Sequence, residues 1–456
     1  MKQVITAPIK FNTSATIARI HDSPMTAFRI LITSSAIPIP RRTAIIPLIK
    51  LAVARILGNR YIRFFSFSFT NIFDNIDMTD NGAKMQHIIM NTRAAIVVKS
   101  TLEMYASKVK KISEVDVNYE VIPPRFSVQD AEELQQGVEY LTEYGYAVFS
   151  NILTDDEVNN SVDLLWKHLE NLKRPCYIRR NNPEAWDINW PGSTNIGLLN
   201  DHGIGQSEFM WYLRGIPNIK KVFSNIWNSN ELFTSFDGAG CFRNWHLNKK
   251  WKTDSGWYHC DQNPFKKPDR CSVQGFVSLT DNNESTGGLV IVPGSHKNFI
   301  SLQFLVNEER LWGDFVAMPS EVTETIHPRL VQCKAGDLIV WDSRCIHCNT
   351  PALIDKPDYE TFSKTQLLRI VAYICMSPLS LFEPDGVRYE NLEEFRELRE
   401  DFVRDRVTCT HWPLELATAS RAPHIDKIPL KLNAYQQSLI VGKHVEPENG
   451  TAETIF

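Results

Sequence analysis

Apolar side chains that recur every three or four positions predict two helices at the start of the globular part of the chain. The first pattern follows Ser127 and Asp130, an S-x-x-D pair suited to cap a helix, and Gly145 predicts its end. The second follows Thr154 and Glu157, which are also placed to cap a helix. The apolar positions are Leu134, Val138 and Leu141 in the first pattern, and Val158, Val162, Leu165 and Leu169 in the second.

Short apolar runs separated by turn residues predict β-strands. Residues 146–149 form one such run between the two helices. Four more fall between about residues 232 and 376, at positions 272–279, 289–292, 337–341 and 367–376. Short strands at such intervals are typical of a sandwich or jelly roll. We therefore expect a mainly β fold with flanking helices.

A charged amphipathic pattern near the C-terminal end predicts a further helix. Asn391 is placed to cap it, with Glu394 at the third position. The charge run 393–406 is expected to form a solvated helix surface and not a nucleic-acid site. The inward face is predicted to consist of Leu392, Phe395, Leu398 and Phe402.

Composition and charge narrow the class of protein. Hydrophobic residues make up 43% of the 456 residues and charged residues 22%, which is ordinary for a globular chain and favours neither disorder nor a membrane protein. The formal net charge of −4 gives no basic footprint for nucleic acid, so we expect a small-molecule partner. Nine cysteines, an odd count spread thinly, argue against a secreted disulfide framework and favour an intracellular, reducing compartment. The oligomeric state is not predicted.

The first 73 residues differ in charge from the rest, with ten Lys or Arg against one acid, Asp22. This balance resembles a mitochondrial targeting segment, although several prolines would interrupt a helix. The alternative is that Met78 is the biological start and the preceding segment is not native. The apolar stretch 44–57 is too short and too charged to span a bilayer, so no membrane span is expected. The compartment is accordingly predicted to be cytoplasmic, or mitochondrial if the targeting segment is genuine.

His259, Asp261 and His347 form the strongest candidate for a metal site. Residues two apart in an extended chain project to the same side, so His259 and Asp261 can present an imidazole and a carboxylate to one ion. His347 comes soon after an Ala-Gly-Asp turn and an apolar strand, at residues 335–343, which would deliver a third ligand. Two histidines and one carboxylate leave three metal positions open, as in non-haem Fe(II) oxygenases. We therefore predict that these three residues are catalytic metal ligands.

Arg369 is the candidate for binding an anion, because it is a charged residue within an apolar strand pattern. A buried guanidinium needs a partner, and its planar fork matches one carboxylate of a dicarboxylate whose other end chelates the metal. Arg344 is the second choice for this role.

Two alternatives stay open on the sequence. Cys345 and Cys348 flank His347 in a C-x-x-C motif and could form part of a zinc site, although no second such motif appears at the usual spacing. The same fold could also act as a catalytically inactive binding module, because a fold alone does not establish activity.

Several motifs together resemble the phytanoyl-CoA dioxygenase family, the PhyH-like branch of the 2-oxoglutarate oxygenases. The resemblance covers roughly residues 119–413, which separates an N-terminal extension, 1–118, from a C-terminal tail, 414–456. The motifs are Gly145-Tyr146-Ala147-Val148, His259-x-Asp261, the run 287–296 that ends in Pro-Gly-Ser-His, the turn Ala335-Gly336-Asp337, and His347.

The resemblance implies a double-stranded β-helix, of the jelly-roll or cupin-like kind, with Fe(II) on His259, Asp261 and His347. It places the distal carboxylate of 2-oxoglutarate on Arg369, although Arg369 follows His347 later than is usual in the family. A lengthened loop at 351–365 would absorb the difference. It also implies that His296 is structural.

The implied activity is hydroxylation of a small organic substrate with O2, releasing succinate and carbon dioxide, with ascorbate as a candidate reductant. Candidate pocket residues are Trp257, Tyr258, Arg344, His411 and Trp412. Candidate residues for orienting the ligands are Gln262, Asp342 and Asn349.

Overall fold

The computed structural model describes residues 116–173, 176–188, 190–311, 313–354, 367–422, 429–447 and 453–456. In these residues the helices are α1 Ala131–Tyr144, α2 Asp155–Glu170, α3 Glu208–Arg214, α4 Pro217–Trp227, α5 Ser320–Thr323, α6 Leu392–Arg404 and α7 Ala434–Val441. The first nine strands are β1 Arg125–Ser127, β2 Tyr146–Ser150, β3 Leu198–Leu199, β4 Leu232–Thr234, β5 Ala239–Phe242, β6 His259–Cys260, β7 Val273–Ser278, β8 Gly288–Ile291 and β9 Val316–Ala317. The others are β10 Arg329–Leu330, β11 Leu338–Asp342, β12 His347–Thr350, β13 Arg369–Tyr373, β14 Met376–Pro378, β15 Thr408–Cys409, β16 Thr418–Ser420, β17 Lys431–Asn433 and β18 Glu453–Ile455.

Seven of the described strands form one large sheet, in the order β1-β2-β11-β7-β13-β5-β3. The β1 and β2 strands are parallel, and the other neighbours are antiparallel. The longest pairing joins β11 to β7 over five residues. Both faces of these central strands are buried, which explains why their sequences are almost continuously apolar.

Five of the described strands form a second sheet, in the order β10-β8-β12-β6-β9. All its neighbours are antiparallel, and β12 lies at its centre between β8 and β6. His347 on β12 stands directly opposite His259 on β6. This register brings together two residues that lie far apart in the chain.

The two sheets share a buried interior. Trp341 and Phe276 of the large sheet lie in the same apolar cluster as Leu289 and Ile291 of the second sheet. The double-stranded β-helix expected from the sequence is therefore confirmed. The cluster also contains Tyr146, Val148, Phe242, Ile339 and Val371.

Helices α1 to α4 pack on the outer face of the large sheet. Because side chains alternate along a strand, Val340 points outward to the helices while Ile339 and Trp341 point into the interior. Burying an aliphatic or aromatic side chain contributes about 1.5–3 kcal/mol, so this layer is a major source of stability. Its members include Leu134, Leu165, Phe209 and Phe223 from the helices, and Val277 and Ala372 from the strands.

The predicted starts of α1 and α2 are confirmed, with one correction. The Thr154 and Glu157 capping box forms as expected. Asp130 alone caps α1, because its side chain accepts from two amides of the first turn, whereas Ser127 lies in β1. Gly145 ends α1 at φ 79°, and a Cβ there would overlap Cys345.

Helix α6 begins after its predicted cap, Asn391, but its charge run is not wholly solvated. Arg399 is fully buried and Arg406 nearly so. The Arg399 guanidinium donates to the carbonyl oxygens of Ile440 at 2.5 Å, and of Pro413 and Thr234 at 2.6 Å each. The expectation was wrong at Arg399 because segments distant in the chain cover this side of the helix.

Residues after Pro413, separated above as a C-terminal tail, contribute β16, β17 and α7. Leu432 and Ile440 from this segment are buried in one cluster with Phe233 and Phe395. The predictions for residues 1–115, including the targeting segment and Met78, lie outside the described residues. Among the helices that the structure describes, none has the length and hydropathy needed to cross a membrane.

Replacing Arg399 with Met should lower the free energy of unfolding by about 3 kcal/mol, because three buried carbonyl oxygens lose their charged donor. Arg404→Met, on the exposed side of the same helix, is the control and should change it by less than about 0.5 kcal/mol. Chemical denaturation of the two variants measures the difference, and equal midpoints would contradict the structural role of Arg399.

Candidate metal centre

His259, Asp261 and His347 converge as the sequence predicted. One potential ligand atom from each side chain lies within 4.8 Å of the others. The β6–β12 pairing sets the two histidines opposite each other, and Asp261 follows β6. Within the described residues, no other group of three or more His, Cys, Asp or Glu side chains has this arrangement.

Backbone carbonyl groups fix both imidazole rings. Nδ1 of His259 lies 3.1 Å from the carbonyl oxygen of Trp257, and Nδ1 of His347 lies 3.0 Å from that of Cys345. A carbonyl oxygen accepts only from a protonated ring nitrogen, so Nδ1 carries the proton and Nε2 keeps its lone pair. The two Nε2 atoms lie 3.5 and 3.2 Å from the carboxylate oxygens of Asp261. The potential metal-ligand atoms of all three side chains are thus directed toward one position.

Gln274 on β7 orients the carboxylate of Asp261. Its Nε2 donates to Asp261 Oδ2 at 2.8 Å. Burial alone would raise the pKa of Asp261, but in the metal-free site protonation of the adjacent His259 and His347 rings outweighs burial and holds that pKa well below its usual range. The sequence reasoning missed Gln274, although an amide in the apolar strand Val273–Ser278 was a signal for it.

Aromatic rings enclose His259 on both faces. Trp257 stacks at 4.8 Å between ring centroids and Phe315 at 4.6 Å. These contacts restrict rotation of the imidazole, so its Nε2 direction is preorganised. Trp257, a predicted pocket residue, therefore supports a ligand, and Phe315 was not predicted.

Arg369 is fully buried in β13 and only partly hydrogen-bonded. Its Nη2 donates to Asn349 Oδ1 at 3.0 Å, and its guanidinium lies 3.6 Å from the ring centroid of Phe242. Nε and Nη1 have no partner among the described residues. Burial lowers the pKa of Arg369 to about 10. Two buried donors thus stay available for an acceptor.

Arg344, the second choice for this role, is already paired. Its Nε and Nη2 donate to the two oxygens of Asp342 at 2.9 and 2.8 Å. This ion pair engages the two N–H groups with which Arg344 could bind a carboxylate. It also engages both carboxylate oxygens of Asp342, which was predicted to orient a metal ligand. Both residues therefore stabilise the turn between β11 and β12.

The cysteines beside His347 are not arranged as a zinc site. Cys348 is the next residue on β12 and lies in a different apolar cluster, with Tyr258. The Sγ atom of Cys345 is 3.5 Å from Nδ1 of His296, whose Nε2 is 3.0 Å from the carbonyl oxygen of Thr142. His296 thus has a structural environment, as expected.

Of the other residues predicted to line the pocket or orient the ligands, His411 lies near the candidate metal centre, whereas Trp412 and Gln262 make contacts elsewhere. Burial lowers the pKa of His411, and the nearby carboxylate of Asp261 opposes that shift. Trp412 packs under the ammonium of Lys267, 3.8 Å from its ring centroid. Gln262 is turned away, since its amide donates to two backbone carbonyl groups of the following loop.

Residues 141–351 match the model of the family described as phytanoyl-CoA dioxygenase (PhyH). The match begins in α1 and ends after β12, so it includes the three candidate metal ligands but not Arg369. The resemblance predicted from the motifs is confirmed.

Two curated relatives and one solved structure illustrate the similarity. Over 189 residues the chain is 27% identical to Ava biosynthesis cluster protein O from Aspergillus versicolor, covering 39% of this chain and 56% of that relative. Over 217 residues it is 27% identical to ectoine dioxygenase from Bordetella bronchiseptica, covering 45% and 63%. The matches thus span less than two thirds of each relative. EctD from S. alaskensis with 2-oxoglutarate and 5-hydroxyectoine is 15% identical, with a TM-score of 0.34, covering 59% of this chain and 82% of that one.

Replacing Gln274 with Leu should weaken divalent metal binding about 10- to 100-fold, because the carboxylate of Asp261 loses the amide that orients it. Gln332→Leu is the control, because the Gln332 amide donates to the backbone carbonyl oxygen of Tyr119 and to no candidate metal ligand. Anaerobic titration with Fe(II) or Co(II) measures the affinities, and an unchanged affinity in the Gln274 variant would contradict the orienting role.

Proposed function

We propose that this chain, which matches the phytanoyl-CoA dioxygenase family over residues 141–351, is an iron(II)- and 2-oxoglutarate-dependent dioxygenase that hydroxylates a small organic substrate. The convergence of His259, Asp261 and His347 carries this proposal. The substrate itself is not identified by these residues.

The donor set suits iron(II). Two neutral imidazoles and one carboxylate are the ligands of the facial arrangement that leaves three positions open on an octahedral ion. A structural zinc site would instead close its coordination sphere with four protein ligands, commonly cysteines. The tautomers imposed by the Trp257 and Cys345 carbonyl groups keep Nε2 free on both rings, which supports metal binding at this point.

Arg369 suits the distal carboxylate of 2-oxoglutarate. Asn349, which holds the guanidinium, lies two residues after His347 on β12 and therefore projects to the same face, about 7 Å farther along the strand. That spacing is comparable with the length of a five-carbon dicarboxylate. The two uncommitted N–H groups of Arg369 can donate to a carboxylate as parallel, charge-assisted bonds.

When bound, iron(II) and 2-oxoglutarate supply the oxidative chemistry, in which O2 converts the cosubstrate to succinate and carbon dioxide and adds a hydroxyl group to the substrate. The protein residues bind and orient. His259, Asp261 and His347 fix the metal, and Arg369 fixes the direction of the cosubstrate. The apolar side chains of Phe276 and the other residues of the shared interior exclude bulk water, which limits side reactions.

Asp261→Ala should abolish succinate formation and metal binding, because it removes the single carboxylate ligand. Asp254→Ala, on the exposed loop before His259, is the control and should retain both. Succinate formation and metal content are measured over a substrate panel. Wild-type protein that binds metal and 2-oxoglutarate but forms no succinate over that panel would favour an inactive binding module.

Arg369→Ala should raise the 2-oxoglutarate concentration needed for half-maximal binding about 10- to 100-fold, as expected for the loss of hydrogen bonds to a charged group. Arg344→Ala is the matched control, because Arg344 is already paired with Asp342. Anaerobic binding of 2-oxoglutarate to the metal-loaded variants measures the effect. Equal loss of affinity in both variants would refute the placement of the carboxylate on Arg369.

A further inference from the structure

Four polar side chains near the candidate metal centre are partly buried and keep some solvent-accessible surface. They are Asp237, Asp261, Tyr373 and His411. The electrostatic environment of Asp237 and that of His411 both include Asp261, and that of Tyr373 includes Asp237. These interactions place the four groups near one another and near the candidate metal centre.

Asp237 lies at the metal end of the barrel. It precedes β5, and the amide of Tyr373 donates to the carbonyl oxygen of Gly238 at 3.0 Å. Tyr373 pairs with Phe276 on β7. Gln274, whose amide donates to Asp261, lies two residues before Phe276 and therefore on the same face of that strand. The register therefore places Asp237 and the metal ligands at the same end of the large sheet.

Among the described residues, no side chain forms an ion pair with the carboxylate of Asp237, although the charge of the nearby Arg214 lowers its pKa. Its Oδ1 accepts from the backbone N–H of Gly238 at 2.7 Å. The nearby Arg214 donates instead to the backbone carbonyl oxygens of Asp237, at 2.9 Å, and of Gly205, at 2.6 Å. Burial raises the pKa of Asp237 to about 7. A partly buried carboxylate that accepts from one neutral donor has room for a further, positively charged donor, which favours a cationic ligand.

A C-terminal segment, residues 408–416, is held against the residues that precede β5. The start of the segment is bonded to the residue before Asp237, because the amide of Cys409 donates to the carbonyl oxygen of Phe236 at 2.8 Å. Arg399 binds the carbonyl oxygen of Pro413, and Lys267 forms an ion pair with Glu415. The segment is thereby held in place, with His411 against Asp261.

We propose that Asp237 is a substrate-binding residue and that the substrate carries a positively charged nitrogen close to the carbon that is oxidised. The inference rests on the proposed function, since it names the substrate class of the same site. The competing interpretation is that Asp237 only balances the charge of Arg214. That interpretation predicts no effect of Asp237 on ligand choice.

The test uses full-length protein loaded with Co(II) and 2-oxoglutarate without oxygen. The probes are two matched pairs, choline against 3,3-dimethylbutan-1-ol, and ethanolamine against ethylene glycol. Each pair differs in the charge of one end. Paramagnetic relaxation of the probe protons by Co(II) reports binding near the metal. We expect at least one cation to bind about tenfold more tightly than its neutral partner. In Asp237→Asn, which keeps the shape of the side chain, that preference should disappear.

Asp314→Asn is the control, because Asp314 acts electrostatically on His411 but is already paired with Lys267. It should keep the preference for the cation. Equal binding of cations and neutral probes to the wild-type protein would overturn the inference, even if the Asp237 variant does not fold. A cation preference that survives in Asp237→Asn would also overturn it. Failure of the wild-type protein to bind Co(II) and 2-oxoglutarate would instead defeat the proposed function, and this inference with it.

Discussion

The site depends on one backbone pairing, between β6 and β12. That pairing sets His259 opposite His347, although 87 residues separate them in the chain. Because side chains alternate along a strand, a slip of one residue would turn His347 outward and bring Cys348 to the interior. The buried apolar residues of β8, which pair with β12, oppose such a slip. Core packing therefore determines where the donors meet.

Local signals in the sequence were enough for much of the fold. The capped helices α1, α2 and α6 and the central strands follow from patterns within about fifteen residues, and the order of the motifs identified the β-helix. Arg399 and Gln274 were not predicted in their roles. Each depends on groups distant in the chain: three carbonyl groups around Arg399, and the carboxylate of Asp261 beside Gln274. Residue type and spacing carry no information about such contacts, so only the folded chain reveals them.

Near the candidate metal centre, several polar groups of the described residues pair with one another. Asp342 with Arg344, and Gln274 with Asp261, satisfy each other. Arg369 toward one end, with two N–H groups that lack a partner, and Asp237 toward the other, which forms no ion pair among the described residues, stand out against this background. An apolar, water-poor interior makes each unsatisfied group costly, and it also strengthens any contact that a bound molecule makes with it. The same packing that stabilises the fold therefore favours occupancy of the site.

Iron K-edge X-ray absorption of the anaerobic protein, loaded with Fe(II) and 2-oxoglutarate, tests the central claim most directly. Coordination by His259, Asp261 and His347 predicts a six-coordinate ferrous ion with only nitrogen and oxygen neighbours, including the multiple-scattering signature of two imidazoles. A sulfur neighbour at about 2.3 Å, as cysteine ligation gives for metals such as zinc, would contradict the account. So would protein that retains no iron after removal of the unbound ion.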